Sequence, residues 1–283
     1  MEKSSEVITP IVKEPLVSRI TPVYNDSEYL DELISSVQQQ DYPHIEHIII
    51  DDGSTDDGAT VAILKRYPHL RWWSRENKGQ YATLNEGLAA AKGSIVGIIS
   101  ADDKYVMPSA LSAVIEFWQS HPECGCIYGR TLRMDGKGAL LPLDPTLRQG
   151  PFPAWFLRYS LLIPHCSLFV AKSLVIDKEI WFDPSFRYAG DWDWIIRLSQ
   201  VSRFGYLDQP LSLYREHPVQ ATQQASQKNW SLEIRKILKR HKANYAFYLF
   251  LVYQHRVMKG LWILRKNGLQ GLRAEVHNWL KQR

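Results

Sequence analysis

The sequence predicts an α/β fold built on a mostly parallel sheet flanked by helices. Three observations predict it. Apolar, β-branched runs without strict alternation occur at Ile45 to Asp52 and Ser94 to Asp103, as in strands covered on both faces. Stretches with helical spacing lie between such runs, and that alternation implies parallel pairing. Both runs end in paired acids, Asp51 with Asp52 and Asp102 with Asp103, and in open α/β sheets ligands sit at the carboxyl ends of strands.

In chain order, Val17 to Tyr24 (VSRITPVY) reads as a strand breaking at Pro22, and Ser27 to Gln40 as an amphipathic helix. Asp56 to Tyr67 has helical spacing behind Ser54 and Thr55, which can cap it. Arg71 to Ser74 is a short strand, and Gln80 to Ala91 is rich in helix formers up to Lys92-Gly93. A helix over Ser109 to Ser120 follows Pro108. Gly125 to Arg133 and Gly138 to Leu143 are apolar segments joined by Met134-Asp135-Gly136-Lys137, where Asp-Gly signals a hairpin. Pro142 to Pro153 is a connection, and Ala154 to Ser160, Ala171 to Asp177 and Asp191 to Val201 are expected helices. Ser231 to Leu280 is helical in periodicity with a break near Asn267 and Gly268. The division expected is a flexible lead (1–17), a catalytic domain (18–227) with halves at 18–107 and 108–227, and a basic helical extension (228–283).

A chain of 283 residues can bury a sizeable core. Ten Trp and fourteen Tyr exceed what a core alone uses, so some rings are expected to line a cleft. The net charge of +4 hides an asymmetry: residues 228–283 carry thirteen Lys and Arg against two Glu, or +11, leaving −7 for the rest. Tail and body therefore face different partners. Cys124, Cys126 and Cys166 lack metal-type spacing and read as free thiols in a reducing compartment. Residues 1–19 alternate charged and apolar positions with prolines, unlike a secretory signal. The longest apolar run, Tyr245 to Tyr253, falls short of the roughly 20 residues that span a bilayer. The expectation is a cytoplasmic protein. Its basic, apolar tail is either an interfacial helix at the anionic inner face of the membrane or a solvated basic face packed on the catalytic domain. No nucleic-acid recognition motif is present. The absence of GxGxxG and GxxxxGK[ST] disfavours a dinucleotide-dependent dehydrogenase and a P-loop enzyme.

Several residues suit ligand chemistry. Asp52, at a strand end before Gly53, can accept from a base N–H or a ribose hydroxyl, or can form a turn that caps the next helix. Tyr24 can stack on a base or lie on the rim. Asp102 and Asp103 offer hard oxygens to Mg2+ or Mn2+, which takes one or two carboxylates plus substrate phosphates. The amides of Asn77, Lys78 and Gly79 precede a helix and can meet an anion, or only begin the helix. Asp191 and Asp193 are two apart, so only one faces a cleft. Trp192 or Trp194 can offer a sugar platform or pack in the core.

Five segments, TPVYND (21–26), IIIDDGSTDD (48–57), NKGQYATLNEGL (77–88), SADDKYVMP (100–108) and AGDWDWIIRL (189–198), occur in the order found in family 2 glycosyltransferases of the GT-A fold, and the chain resembles that family over about Ser18 to His217. The resemblance implies inverting transfer of a sugar from a nucleotide-diphosphate donor to the hydroxyl of a glycan or lipid-linked saccharide. It implies donor contacts from Thr21, Pro22, Tyr24, Asp52, Asn77, Gly79 and Asp102, and a divalent metal at Asp103 and Asp102 completed by His217. It makes Asp191 the general base and puts His165 and Trp192 on the acceptor side. Ser100 stands where the family often has the first Asp of Asp-x-Asp-Asp, which leaves open whether Asp102 or Asp103 binds the metal. Two other classes stay in view. One is a nucleotide-sugar-binding protein without turnover. The other is a sugar nucleotidyltransferase, which needs a glycine- and basic-rich loop after the first strand that TPVYND does not provide.

Overall fold

A computed structural model describes residues 14–142, 149–220 and 226–281, with backbone alone at 227 and 267–281. The expected lead therefore lies mostly outside the described residues, as does Leu143. Eight strands form one sheet in the order β3-β2-β1-β4-β7-β6-β8-β5. Its first half is parallel: β1 (Val17–Val23) lies between β2 (Ile45–Asp51) and β4 (Ile95–Ile98), and β3 (Arg71–Ser74) extends β2. Helices α1 (Ser27–Gln38), α2 (Ala59–Leu64) and α3 (Gln80–Ala90) make the crossovers. The β-branched run Ile48–Ile50 is fully buried, and α1 turns Leu30, Leu33, Ile34 and Val37 inward at helical spacing.

The second half is mixed, as expected. After β5 (Lys104–Tyr105) and α4 (Ala110–Ser120), β6 (Cys124–Asp135) runs antiparallel to β7 (Leu168–Ala171) and parallel to β8 (Arg203–Glu216). β7 closes antiparallel onto β4, and β5 onto β8. α5 (Lys172–Ile176) and α6 (Gly190–Val201) fall between β7 and β8, and α7 (Gln227–Arg240) and α8 (Tyr245–Lys281) follow.

Register positions the site. Val23 pairs with Asp51 and Asp51 with Ser74, so β1, β2 and β3 end at one level. β8 reaches Glu216 beside the turn that follows β4, because the Arg215 N–H donates to Asp103 Oδ1 at 3.0 Å.

Several expectations are corrected. The helix expected over Asp56 to Tyr67 is only Ala59–Leu64, since Asp57 and Gly58 adopt positive φ of 53° and 83°. Asp56 Oδ2 accepts from the Thr60 N–H at 3.0 Å, while Ser54 and Thr55 bond Asn25 instead of capping. The second apolar run leaves the sheet at Ile98, and residues 100–103 form a turn closed by Asp103 N–H to Ser100 O. The hairpin after β6 is reduced to a Met134–Leu140 bridge, because β6 finds its partners in β7 and β8. Ala154 to Ser160 holds a single 3-10 turn, Phe156–Arg158. The C-terminal helices break at 241–244, where Lys242 has φ 52°, and α8 runs unbroken through Asn267 and Gly268. One helical Gly is about 1 kcal/mol worse than Ala, which is too little to interrupt a long helix.

Candidate active site

The ends of β1, β2 and β4 meet the last residues of β8 and the N-terminus of α6. Asp51 is buried, accepting from the Ser54 N–H at 3.0 Å and the Ser74 hydroxyl at 2.7 Å, so it closes its own turn. Asp52 is also buried. Oδ1 accepts from the Lys78 N–H at 2.8 Å and from the Arg75 guanidinium, and Oδ2 accepts from the Gly79 N–H at 3.0 Å. The amides expected to meet a ligand anion at the start of α3 are thus filled by Asp52. This carboxylate builds the 75–79 loop, and little of it is left to face a nucleotide. Gly53 allows the approach: at φ 76°, a Cβ there would lie 2.8 Å from Asn77 N. Thr21 is corrected as well, since its hydroxyl is fully buried at 3.0 Å from His47 Nε2. Tyr24, Asn77 and Gly79 stay exposed around this loop, and Pro22 is half-buried.

The second acidic pair separates. Asp103 is buried, bound to the Arg215 N–H, and burial with the charge of Asp102 pushes its carboxyl well up. Asp102 keeps a partly open carboxylate, with Oδ2 3.1 Å from His217 Nε2. That hydrogen bond raises the His217 imidazole above its ordinary value. Asp26, at the start of α1, lies close enough that burial and the charge of Asp102 push it up to about 7. Arg215 holds this corner: its Nε donates to Asp102 O at 2.8 Å, its guanidinium pairs with Glu32, and it lies 4.4 Å over the Tyr29 ring. Two carboxylates and one imidazole suit a hard divalent ion that takes its other ligands from phosphate. Among the described residues, however, no group of three such side chains is arranged as a ready coordination set. Of the expected ligands Asp102 is partly open, His217 is buried behind it and Asp103 faces inward.

Asp191 lies in the first turn of α6. Oδ1 accepts from the Trp192 N–H at 2.9 Å, and Oδ2 is 3.2 Å from His165 Nδ1. The other ring nitrogen of His165 is 2.9 Å from the Ser100 hydroxyl. Burial alone would lower the His165 pKa, but the hydrogen bond and charge of Asp191, with the charges of Asp103 and Asp102, leave it raised. Asp193 is structural: fully buried, it accepts from Arg197, Arg240 and His241. Trp192 is corrected to the core, 3 % exposed with its indole N–H on Leu157 O. Trp194 is likewise buried, bonded to Ile180 O, so neither ring is a sugar platform.

Sequence reasoning missed Arg75, Arg215, Asp26 and the Ser100 to His165 bond. Arg215 and Glu32 are 183 positions apart, and no local pattern joins them.

A family model described as Glycosyl transferase family 2 matches residues 18–174. An uncharacterized glycosyltransferase of Mycobacterium tuberculosis is 32% identical over 193 residues, covering 66% of this chain and 70% of that protein. Chondroitin synthase of Escherichia coli is 27% identical over 198 residues, 69% of this chain but 28% of the synthase, so the chain spans under a third of that relative. Among solved structures, S. aureus TarS 1-349 in complex with UDP superposes with TM-score 0.62 at 20% identity, covering 89% of this chain and 74% of that one. A mannosyltransferase from Pyrobaculum calidifontis, in complex with GDP-Man and Mn2+, gives TM-score 0.58 at 20% identity, covering 94% and 76%. These likenesses concern the fold.

Proposed function

The chain belongs to glycosyl transferase family 2 and is a glycosyltransferase of GT-A fold, and from that premise we propose that it moves a sugar from a nucleotide-diphosphate donor to an acceptor hydroxyl with inversion. The observation that carries this reading is that the 100–103 turn, the donor loop, holds Asp102 against His217 and is joined through Ser100 and His165 to Asp191 at the start of α6. In the reaction proposed, Asp191 takes the proton of the acceptor hydroxyl as that oxygen attacks the anomeric carbon. The nucleoside diphosphate leaves from the opposite side. One displacement needs one base, and such a base typically contributes about 10²–10⁴-fold.

Residues 18–107 would hold the donor, with Tyr24 against the base and the Asp52-built loop shaping its pocket. Residues 108–227 would hold the acceptor, a glycan or lipid-linked saccharide as suits a relative of a polysaccharide synthase, with His165 on that side. Asp102 and His217 would hold a divalent ion, Mn2+ or Mg2+, which when bound neutralises charge on the leaving diphosphate. The UDP complex of TarS and the GDP-Man and Mn2+ complex of the mannosyltransferase support a donor of this class. α8 would bring the enzyme to an anionic membrane surface.

The test is product analysis with UDP-GlcNAc and GDP-mannose over an acceptor panel, with and without Mn2+. Wild type is expected to release a nucleoside diphosphate. Asp191→Asn is expected to bind donor normally and lose at least about 10²-fold in transfer. Release of pyrophosphate would point to a nucleotidyltransferase, and donor binding with no turnover over the whole panel to a binding protein.

A further inference from the structure

Asp191 has one neighbour that its assignment as a base leaves unexplained. His165 opens a 3-10 turn (His165–Ser167) whose next two residues are fully buried, with the Ser167 hydroxyl bonded to Thr131 at 2.6 Å and to Ser212 at 2.5 Å. The turn is anchored by these bonds, and the ring is held between Ser100 on the donor loop and Asp191 on α6. Ser100 is also where this chain departs from the acidic residue its family often carries.

We propose that His165 is the positioning residue of the acceptor-side base and that Ser100 is its orienter, so that Ser100, His165 and Asp191 form one relay between the donor loop and the base. This rests on the reading of Asp191 as the base. A neutral imidazole accepts at one nitrogen and donates at the other, and the second hydrogen bond decides which. Asp191 is an acceptor, so Nδ1 carries the proton and Nε2 accepts from the Ser100 hydroxyl. An N–H aimed at Oδ2, with the Trp192 N–H on Oδ1, fixes the carboxylate rotamer and leaves its remaining lone pairs for an acceptor hydroxyl. His165 neither gives nor takes the acceptor proton. The acceptor O–H bond breaks toward Asp191, the new C–O bond forms, and the anomeric carbon to phosphate-oxygen bond breaks, with that electron pair leaving on the diphosphate.

The titratable groups around the pair are Asp102 and Asp103 on the donor loop, Tyr81 on α3 and Glu233 on α7. Asp102, Asp103 and Glu233 are carboxylates and offer no donor to an ionised Asp191; the Tyr81 hydroxyl accepts from the Gly190 N–H at 2.8 Å, on the backbone side of the helix start.

Two measurements test the relay. Imidazole ¹⁵N NMR of the whole chain needs no substrate: His165 is expected as the Nδ1–H tautomer in wild type, with a pKa that falls in Asp191→Asn. An Nε2–H tautomer, or a titration unchanged in Asp191→Asn, overturns the proposal. In the second, UDP-GlcNAc and GDP-mannose turnover is measured. His165→Ala is expected to lower kcat by about 10-fold or more and to leave donor KM within about threefold, because Asp191 loses the donor that holds its rotamer. His165→Asn, which returns an N–H near Nδ1, is expected to restore most of kcat, and Ser100→Ala to give a smaller loss. A donor KM that rises in step with the loss of kcat, or no rescue by Asn, assigns His165 a purely structural role. Full activity in Asp191→Asn would instead bring down the base reading itself. Should His165→Ala fail to fold, Ser100→Ala and the NMR titration still decide.

Discussion

His47 and Arg19 show how a sheet interior tolerates two polar side chains. Arg19 is fully buried, donating to Ile98 O at 2.8 Å and stacked 4.7 Å from Phe169, and its space exists because residue 97 is Gly: a Cβ there would meet Arg19 Nη1 at 1.8 Å. His47 is buried beside it, and burial, with the charges of Arg19 and His69, lowers its pKa from 6.5 to about 3. The sign follows directly. Below about 6.5 the unfolded chain takes up a proton that the folded chain refuses until about 3, so this stability is complete above 6.5 and is lost as pH falls through that window. The slope is about 1.4 kcal/mol per pH unit for one proton. Urea midpoints between pH 7 and 4 are expected to fall for wild type, and part of that fall is expected to vanish in His47→Gln. An identical slope in the variant would refute the assignment. Asp52 carries the lesson for reading single residues. Its place at a strand end was legible from IIIDDGS, but its partners Arg75, Lys78 and Gly79 come from a loop some 25 residues on, and only folding turned a candidate ligand-binding acid into a loop builder.

Among the elements, α7 and α8 behave differently despite one continuous basic composition. α7 is capped by Ser226, which accepts from the Asn229 N–H, and buries Ile234, Ile237 and Leu238. Its Glu233 accepts from the amides of Arg187, Tyr188 and Ala189 and so braces the turn that enters α6. α8 leaves Leu249, Phe250, Tyr253, Val257, Leu261 and Leu264 exposed at helical spacing. Arg256, Arg265 and Lys266 are exposed among them. No described helix is long and apolar enough to cross a membrane. An apolar stripe flanked by cations is the composition that lies in an anionic interface, at about 1 kcal/mol per basic residue near the surface. Wild type is expected to sediment with vesicles containing phosphatidylserine and much less with phosphatidylcholine alone, and Phe250→Ser with Leu261→Ser to weaken it about tenfold or more. Equal sedimentation of the double variant would remove the interfacial role. Periodicity announced both helices, but it misplaced their break, because the stop at 241–244 is made by Lys242 at φ 52° and by Asn244, whose Oδ1 accepts from the Phe247 N–H, rather than by a glycine or proline.

For the molecule as a whole, these contacts relocate a boundary. The sequence suggested an extension beginning at residue 228, yet Arg240 pairs with the fully buried Asp193 and His241 is hydrogen-bonded to it. We propose that the catalytic unit runs through α7 and that the extension is α8 alone. Removing partners from a buried charge costs about 3–5 kcal/mol, and a chain of this size loses about 2–4 °C per kcal/mol. A chain ending at Asn244 is therefore expected to melt within a few degrees of the full chain, and one ending at Ser226 roughly 10 °C or more lower. Equal melting of the two would return the boundary to 228.

What the sequence determined by itself was the parallel half of the sheet, the acidic end of β2 and the family, because these rest on local runs and short ordered segments whose physics is complete within a few residues. Tertiary structure decided which acids remain available. Asp52 and Asp103 were turned inward by Arg75 and Arg215, Asp102 was left facing His217, and Ser100 and Asp191, 91 positions apart, were joined through His165. Each of these outcomes depends on a partner brought from a distant part of the chain by the sheet order, and a carboxylate's solvation, charge and free lone pairs are set by such partners rather than by its neighbours in sequence.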